Sequence, residues 1–183
     1  MSNFTIHSAE QAPAQSQPLL TAVQQKYGFV PNLFGSLAES PSTLSAYIAL
    51  GSALEKSSLS PAEQQTILIA TSVENGCTYC VAAHSLVAKH MLKVDPAVVD
   101  ALRSKSAIPD NKLNVLAEFT RAVMENRGEV SSKRLEDFLA AGYTHQQVLE
   151  VTLAIAMKTL SNYANGLMNI PLDEAFKPEA WQK

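Results

Sequence analysis

Val73-Glu74-Asn75-Gly76-Cys77-Thr78-Tyr79-Cys80-Val81-Ala82-Ala83-His84 holds both cysteines of the chain and one of its four histidines. On a helix, Cys77, Cys80 and His84 stand at i, i+3 and i+7, so two sulfurs and an imidazole share one stripe. Asn75-Gly76 is a turn-type dipeptide inside an otherwise helical pattern. It predicts a break, after which a new helix starts with Cys77 and Cys80 in its first turn.

Two cysteines three positions apart admit a structural disulfide, half of a metal site, or a redox dithiol. A bridge stabilises mainly by restricting the unfolded chain, and one that closes only a few residues restricts little. Zinc would find Cys77, Cys80 and His84, but no second CxxC or HxxxH completes the tetrahedron; a fourth ligand would have to come from Glu74, His90 or a distant residue. A redox dithiol fits the surroundings better. An ordinary thiol with a pKa near ~8.5 is only about 3% ionised at pH 7, and half ionisation requires about 2 kcal/mol. A helix N-terminus beside an imidazole supplies stabilisation of that order. Helix-end electrostatics alone favours Cys77 as the more acidic thiol.

Outward from this stretch the pattern is helical. Ser60-Pro61-Ala62-Glu63 is a capping box with proline at the first helical position, and it launches Gln64 to Val73 toward the cysteines. Upstream, Leu19 to Tyr27 forms a short helix ended by Gly28, Pro31 starts a piece through Leu37, and Ser40-Pro41 opens a helix to about Lys56. Downstream, the helix of the cysteines continues through Leu86, Val87 and His90. Asp95-Pro96 caps a helix to Ser104, Asp110 begins one through Asn126, and Ser131 or Ser132 one to Ala141. Thr144-His145-Gln146-Gln147 is a second capping box, from which an apolar helical stretch runs to about Met168. No segment alternates with period two, so the expected fold is all-α, a single-domain orthogonal helical bundle.

Laying Ser60 on Thr144 without gaps puts Glu63 on Gln147, Ile67 on Val151, Ala70 on Ala154 and Tyr79 on Tyr163. Identity along this overlay is thin, but it suggests a degenerate internal duplication in which one half keeps the thiols and the other only the scaffold. Asn162 and Tyr163 would then line the same cavity as the cysteines. The apolar run Val151 to Leu160 exceeds what one helix face needs to bury, so this helix is central or forms a subunit interface. Lys158 within it would snorkel outward or face a partner subunit.

The chain has 183 residues, a formal net charge of -3 and a pI near 5.8. That fits one domain with a proper core, and argues against nucleic-acid or acidic-membrane partners. No apolar run reaches the ~20 residues of a membrane span, and the amino end lacks the layout of a signal peptide. The expectation is a cytoplasmic protein. Residues 1–18, rich in Gln, Ala, Ser and Pro from Ser8 onward, are expected to be a flexible arm ahead of one domain over residues 19–183. His7, His90 and His145 are expected to be ordinary, and Trp181 to anchor the tail against a neighbour.

Glu74 to His84 resembles the ExxCxYCxxxH signature of alkylhydroperoxidase D-like, peroxidase-related proteins of the carboxymuconolactone decarboxylase superfamily. Tyr27-Gly28-Phe29-Val30-Pro31-Asn32-Leu33-Phe34, Leu59-Ser60-Pro61 and Leu160-Ser161-Asn162-Tyr163 extend the likeness over most of the chain. The resemblance implies the alkylhydroperoxidase D-like bundle and thiol-dependent hydroperoxide reduction, with no cofactor and no metal. It implies a peroxide substrate, an external dithiol as reductant, and a homo-oligomer of dimers, trimers or hexamers. Carried over, Cys80 attacks the peroxide, Cys77 resolves, and His84 is the base, directly or through water. One departure matters. The relay glutamate twelve residues before the first cysteine is here Gln65, and an amide cannot shuttle a proton as a carboxylate does. Glu74 is the expected substitute and Glu63 a remoter one; the relay then requires a bend at Gly76. A redox-sensing or interaction protein, whose CxxC pair switches assembly without fast turnover, is the alternative that Gln65 favours.

Overall fold

The computed structural model describes residues 4–183. Among the described residues nine α-helices follow one another: α1 Gln17–Tyr27, α2 Asn32–Leu37, α3 Pro41–Glu55, α4 Pro61–Glu74, α5 Thr78–Leu86, α6 Pro96–Ser104, α7 Asn111–Glu125, α8 Ser132–Ala140 and α9 His145–Met168. Helix α5 runs on into a π-turn over Val87–Met91, and a 3-10 helix, Glu174–Glu179, closes the chain. Among the described residues there is no strand.

The boundaries follow local chemistry. Ser40, Asp95, Asp110 and Ser131 each accept a hydrogen bond from a first-turn amide. Both capping boxes close: the Ser60 and Thr144 side chains each accept the amide three residues on, while Glu63 and Gln147 reach back. Such caps satisfy amides that a helix cannot pair internally, at about 1 kcal/mol each.

Helix α4 is the axis of the molecule and packs against α5, α6, α7 and α9. Every residue from Thr66 to Val73 is buried. Ile67 and Leu68 join one apolar cluster with Leu44, Leu116, Phe119 and Phe138. Ile69, Ala70 and Val73 join another with Val81, Val99 and Leu102. Trp181 packs against that second cluster, as a tail anchor.

Of the arm expected over residues 1–18, residues 1–3 lie outside the described residues, and the segment from His7 onward is laid against the body. Ala9, Ala12 and Ser16 are buried, the Ser16 hydroxyl donates to Ala38 O at 2.7 Å, and the His7 amide donates to Gly35 O at 3.1 Å. A Cβ on Gly35 would meet the His7 carbonyl at 2.7 Å, so glycine is what lets the segment approach. Small alanines and a satisfied hydroxyl suffice to bury a stretch that composition marks as polar.

Candidate active site

Helix α4 ends at Glu74, and Gly76 takes a left-handed φ of 63°. The chain turns there, and α5 starts with Cys77 as its N-cap and Cys80 in its first turn. Cys77 and Cys80 are free thiols, 5% and 1% exposed. Cys80 and His84 face a cavity of about 600 Å3, whereas Cys77 does not line it. The walls are apolar, among them Val23, Phe34, Ile48, Leu68, Met157 and Phe176, and the lining also includes the Lys26–Glu55 ion pair.

The fourth member of the site comes from α9. Lys158, expected to snorkel or meet a partner, is 1% exposed and turned inward. Its Nζ lies 3.0 Å from His84 Nε2, and it also hydrogen-bonds Cys80. Among the described residues no carboxylate pairs with it. The histidine's other nitrogen, Nδ1, lies 2.9 Å from Gln65 Oε1. An ammonium has only protons to give, so Nε2 must accept and Nδ1 must carry the hydrogen that Gln65 accepts. His84 is thereby fixed as one neutral tautomer, its only lone pair spent on Lys158. Burial, then the lysine's charge, pushes its pKa well below the usual histidine value.

The two thiols differ in acidity. The Cys77 thiol donates to Cys80, and that bond holds the Cys80 pKa well below the thiol range; Lys158 and Asn162 add to it, against the opposing effect of burial. The same bond, with burial, pushes Cys77 far up. Lys158 stays charged: burial works against its ammonium, but the Cys80 sulfur beside it outweighs that. Three donors thus converge on Cys80, so the helix-end expectation that Cys77 is more acidic gives way to local hydrogen bonding.

Asn162 Oδ1 accepts from Asn75 Nδ2 at 3.0 Å, and its Nδ2 reaches Ser72 Oγ at 3.4 Å. This bolts the cysteine turn to α9. Tyr163, expected beside it in the cavity, is 62% exposed on the far side of the helix. Tyr79 is buried, lines the cavity, accepts from the Leu33 amide and donates to Asp173 Oδ2 at 2.5 Å. Glu74 is not brought to the thiols. Its carboxylate binds Lys105 at 2.8 Å and Arg121 at 3.5 Å, and it does not line the cavity. Glu63 closes its capping box and pairs with Lys112 at 3.0 Å. His90 pairs with Glu179 at 3.0 Å. The signal that sequence reading passed over is the place of Lys158, four residues after Ala154 and seven after Val151, on the buried stripe of α9.

The helical bundle, with its CxxC at a helix N-terminus beside a cavity, can be compared with known proteins. Residues 41–120 match the sequence profile of the Carboxymuconolactone decarboxylase family. The alkylhydroperoxidase AhpD core, an uncharacterized peroxidase-related protein from Ralstonia eutropha JMP134, superposes with a TM-score of 0.84 at 27% identity over 96% of this chain and 94% of that one. An uncharacterized peroxidase-related protein from Silicibacter sp. TM1040 superposes at 0.81 with 21% identity, over 96% and 93%. The debrominase Bmp8 in complex with 2,3,4-tribromopyrrole shares the fold at 0.77 and 18%, over 98% and 97%. A search of curated proteins gave no significant match. Residues 41–120 thus carry the carboxymuconolactone decarboxylase family match, and the chain has the alkylhydroperoxidase D-like fold. No helix among the described residues is long and apolar enough to cross a membrane.

Proposed function

We propose that the protein is a thiol-dependent peroxidase that reduces organic hydroperoxides through Cys80. The observation that carries this is the buried Lys158 ammonium facing the Cys80 sulfur with no carboxylate partner. A charge in such a place needs a counter-ion, and the thiolate is the anion at hand. The Cys80 thiolate attacks the distal peroxide oxygen, the O–O bond breaks, and the departing alkoxide takes a proton from Lys158. Cys80 is left as a sulfenic acid. Cys77 displaces its hydroxyl, giving a disulfide and water. An external dithiol reduces the disulfide, and the Cys80 proton returns to Lys158.

Lys158 thereby takes the proton-donor place for which Glu74 was the expected candidate, with His84 and Gln65 holding its amine in position. The apolar walls of the cavity favour a hydroperoxide with an organic substituent. A homo-oligomer remains part of the proposal.

Turnover of tert-butyl hydroperoxide with dithiothreitol tests the scheme. Cys80→Ser and Cys77→Ser each abolish turnover, and His84→Gln, which loosens the lysine it orients, lowers it by no more than the about tenfold to thirtyfold expected for loss of Lys158 itself. Wild-type rates in both cysteine variants would reject it. Gln65 in place of a carboxylate also suits a redox switch that oxidises without fast turnover. That alternative predicts a single oxidation of the thiols, a change in assembly, and no sustained peroxide consumption in the same sample.

A further inference from the structure

We propose that Lys158 is a second nucleophile for oxidised Cys80: the sulfenic acid left by a hydroperoxide condenses with the lysine amine to a sulfenamide, a Sγ–Nζ cross-link between α5 and α9. The step rests on the proposed peroxidase chemistry, whose sulfenic acid it consumes. The first observation is placement. Cys80, His84 and Lys158 line one cavity, where α5 packs on α9. Cys80 and Lys158 are each 1% exposed, and the amine hydrogen-bonds the sulfur. His84 Nε2 lies 3.0 Å from the same Nζ. That imidazole sits one helical turn after Cys80, so the group that aims the amine moves with the sulfur it is aimed at.

The second observation concerns the proton. Once the departing alkoxide has taken a proton from Lys158 and the thiolate has become a neutral sulfenic acid, no anion is left to hold an ammonium in this buried place. The nitrogen is then a free amine. One of its N–H bonds stays directed at His84 Nε2, and its lone pair stands beside a sulfur that has turned from nucleophile to electrophile. Cys77 is less ready. Its thiol must lose a proton before it attacks, and burial still opposes that ionisation after the bond to the Cys80 thiolate has gone. A neutral amine needs no base.

In the step itself Nζ attacks Sγ. The S–N bond forms, the S–O bond breaks, and the leaving hydroxide takes one N–H proton and departs as water. Sulfur keeps its oxidation level, so the hydroperoxide is the only oxidant. An external dithiol later splits the S–N bond, returning the Cys80 thiol and the lysine amine and becoming a disulfide itself. Lysine's flexible four-carbon stem gives the reach from hydrogen bond to covalent bond. The cavity of about 600 Å3 leaves the S–O bond room to turn about Cβ–Sγ until it lies opposite the amine. The cross-link shields the sulfur from the irreversible sulfinic stage, and it uses the lysine that oxidation leaves without a counter-ion.

Intact mass of full-length Cys77→Ser after tert-butyl hydroperoxide tests the proposal. No Cys77–Cys80 disulfide can form in it, serine is a preferred residue at the N-cap that Cys77 occupies, and Lys158 and Asn162 remain to hold the Cys80 thiolate. The product is expected to be lighter than the reduced protein by about 2 Da, where a sulfenic or sulfinic acid is heavier by about 16 or 32 Da. Dithiothreitol is expected to restore the reduced mass, and digestion to yield the Cys80 and Lys158 peptides joined. Cys77→Ser with Lys158→Arg keeps a cation but exchanges the amine for a guanidinium, and is expected to go on to the sulfinic mass. A sulfenic or sulfinic product in Cys77→Ser without the loss overturns the proposal and leaves Cys80 as the attacking thiol. A lighter product joined elsewhere than at Lys158, or persisting in the double variant, overturns it equally. An unchanged Cys80 rejects the peroxidase chemistry beneath it as well.

Discussion

At the scale of single residues, the proposed chemistry rests on Lys158 where a carboxylate at position 65 would otherwise set the behaviour of His84. A carboxylate at position 65 would accept the His84 Nδ1 hydrogen and raise the imidazole's basicity, leaving the histidine to take the thiol proton. With Gln65 the hydrogen bond survives but the charge does not, and His84 becomes a neutral acceptor that orients a lysine. Gln65→Glu is therefore expected to raise the His84 pKa, read from imidazole NMR shifts against pH; an unmoved midpoint would contradict the contact. Lys158→Met removes a cation and a donor from Cys80. Its thiolate, followed by ultraviolet absorbance, is expected to titrate closer to the ordinary thiol value of ~8.5, and peroxide reactivity at pH 7 to drop about tenfold to thirtyfold as the ionised fraction falls. The sign is fixed by the acid: a thiol with a depressed pKa is ionised at neutral pH and loses reactivity only as pH falls through that lowered value.

At the scale of elements, what was legible in the sequence was local. Ser60 with Glu63, Thr144 with Gln147, and the Ser40-Pro41 and Asp95-Pro96 pairs mark helix starts because each signal and its target lie within one turn. The break at Gly76 was readable for the same reason. Lys158 was not, since its partner His84 is 74 residues away and only the packing of α5 on α9 joins them. The overlay of the two halves shows the limit clearly. Ile67 and Val151, and Ala70 and Ala154, are all fully buried equivalents. Beyond them α4 stops while α9 runs straight on, so Tyr79 is buried where Tyr163 is exposed. The docked amino-terminal segment yields a prediction of its own. Alanine inside a helix is worth about 1 kcal/mol over glycine, so an unencumbered Gly35→Ala would stabilise α2. Here the added Cβ would meet the His7 carbonyl at 2.7 Å, a backbone atom that cannot swing aside as a side chain would. The substitution is expected to lower the urea midpoint instead, and a raised midpoint would mean that the segment does not dock.

At the scale of the whole molecule, oxidation of the two sulfurs is expected to lower the stability of the fold. A Cys77–Cys80 disulfide closes a loop of a few residues, which chain entropy values at about 2 kcal/mol. The same oxidation removes the thiolate facing Lys158, and stripping one partner from a buried ion pair costs about 3–5 kcal/mol. The lysine can escape by losing its proton, at a cost capped near 4–5 kcal/mol at pH 7 by its ordinary pKa of ~10.4 and falling to about 2 kcal/mol at pH 9. The loss exceeds the gain at neutral pH, so oxidation is expected to destabilise the protein by about 1–3 kcal/mol, opposite to the usual effect of a disulfide. In the oxidised state the folded lysine has a lowered pKa and the unfolded chain binds more protons, so stability rises with pH. The reduced form gains stability with pH at the same rate while its folded Cys80 is ionised and the unfolded thiol is not. The urea midpoints of the two forms should therefore stay apart through neutral pH and draw together only above the ordinary thiol pKa of ~8.5. An oxidised form more stable than the reduced one at pH 7 would show that Lys158 does not depend on Cys80 for its charge.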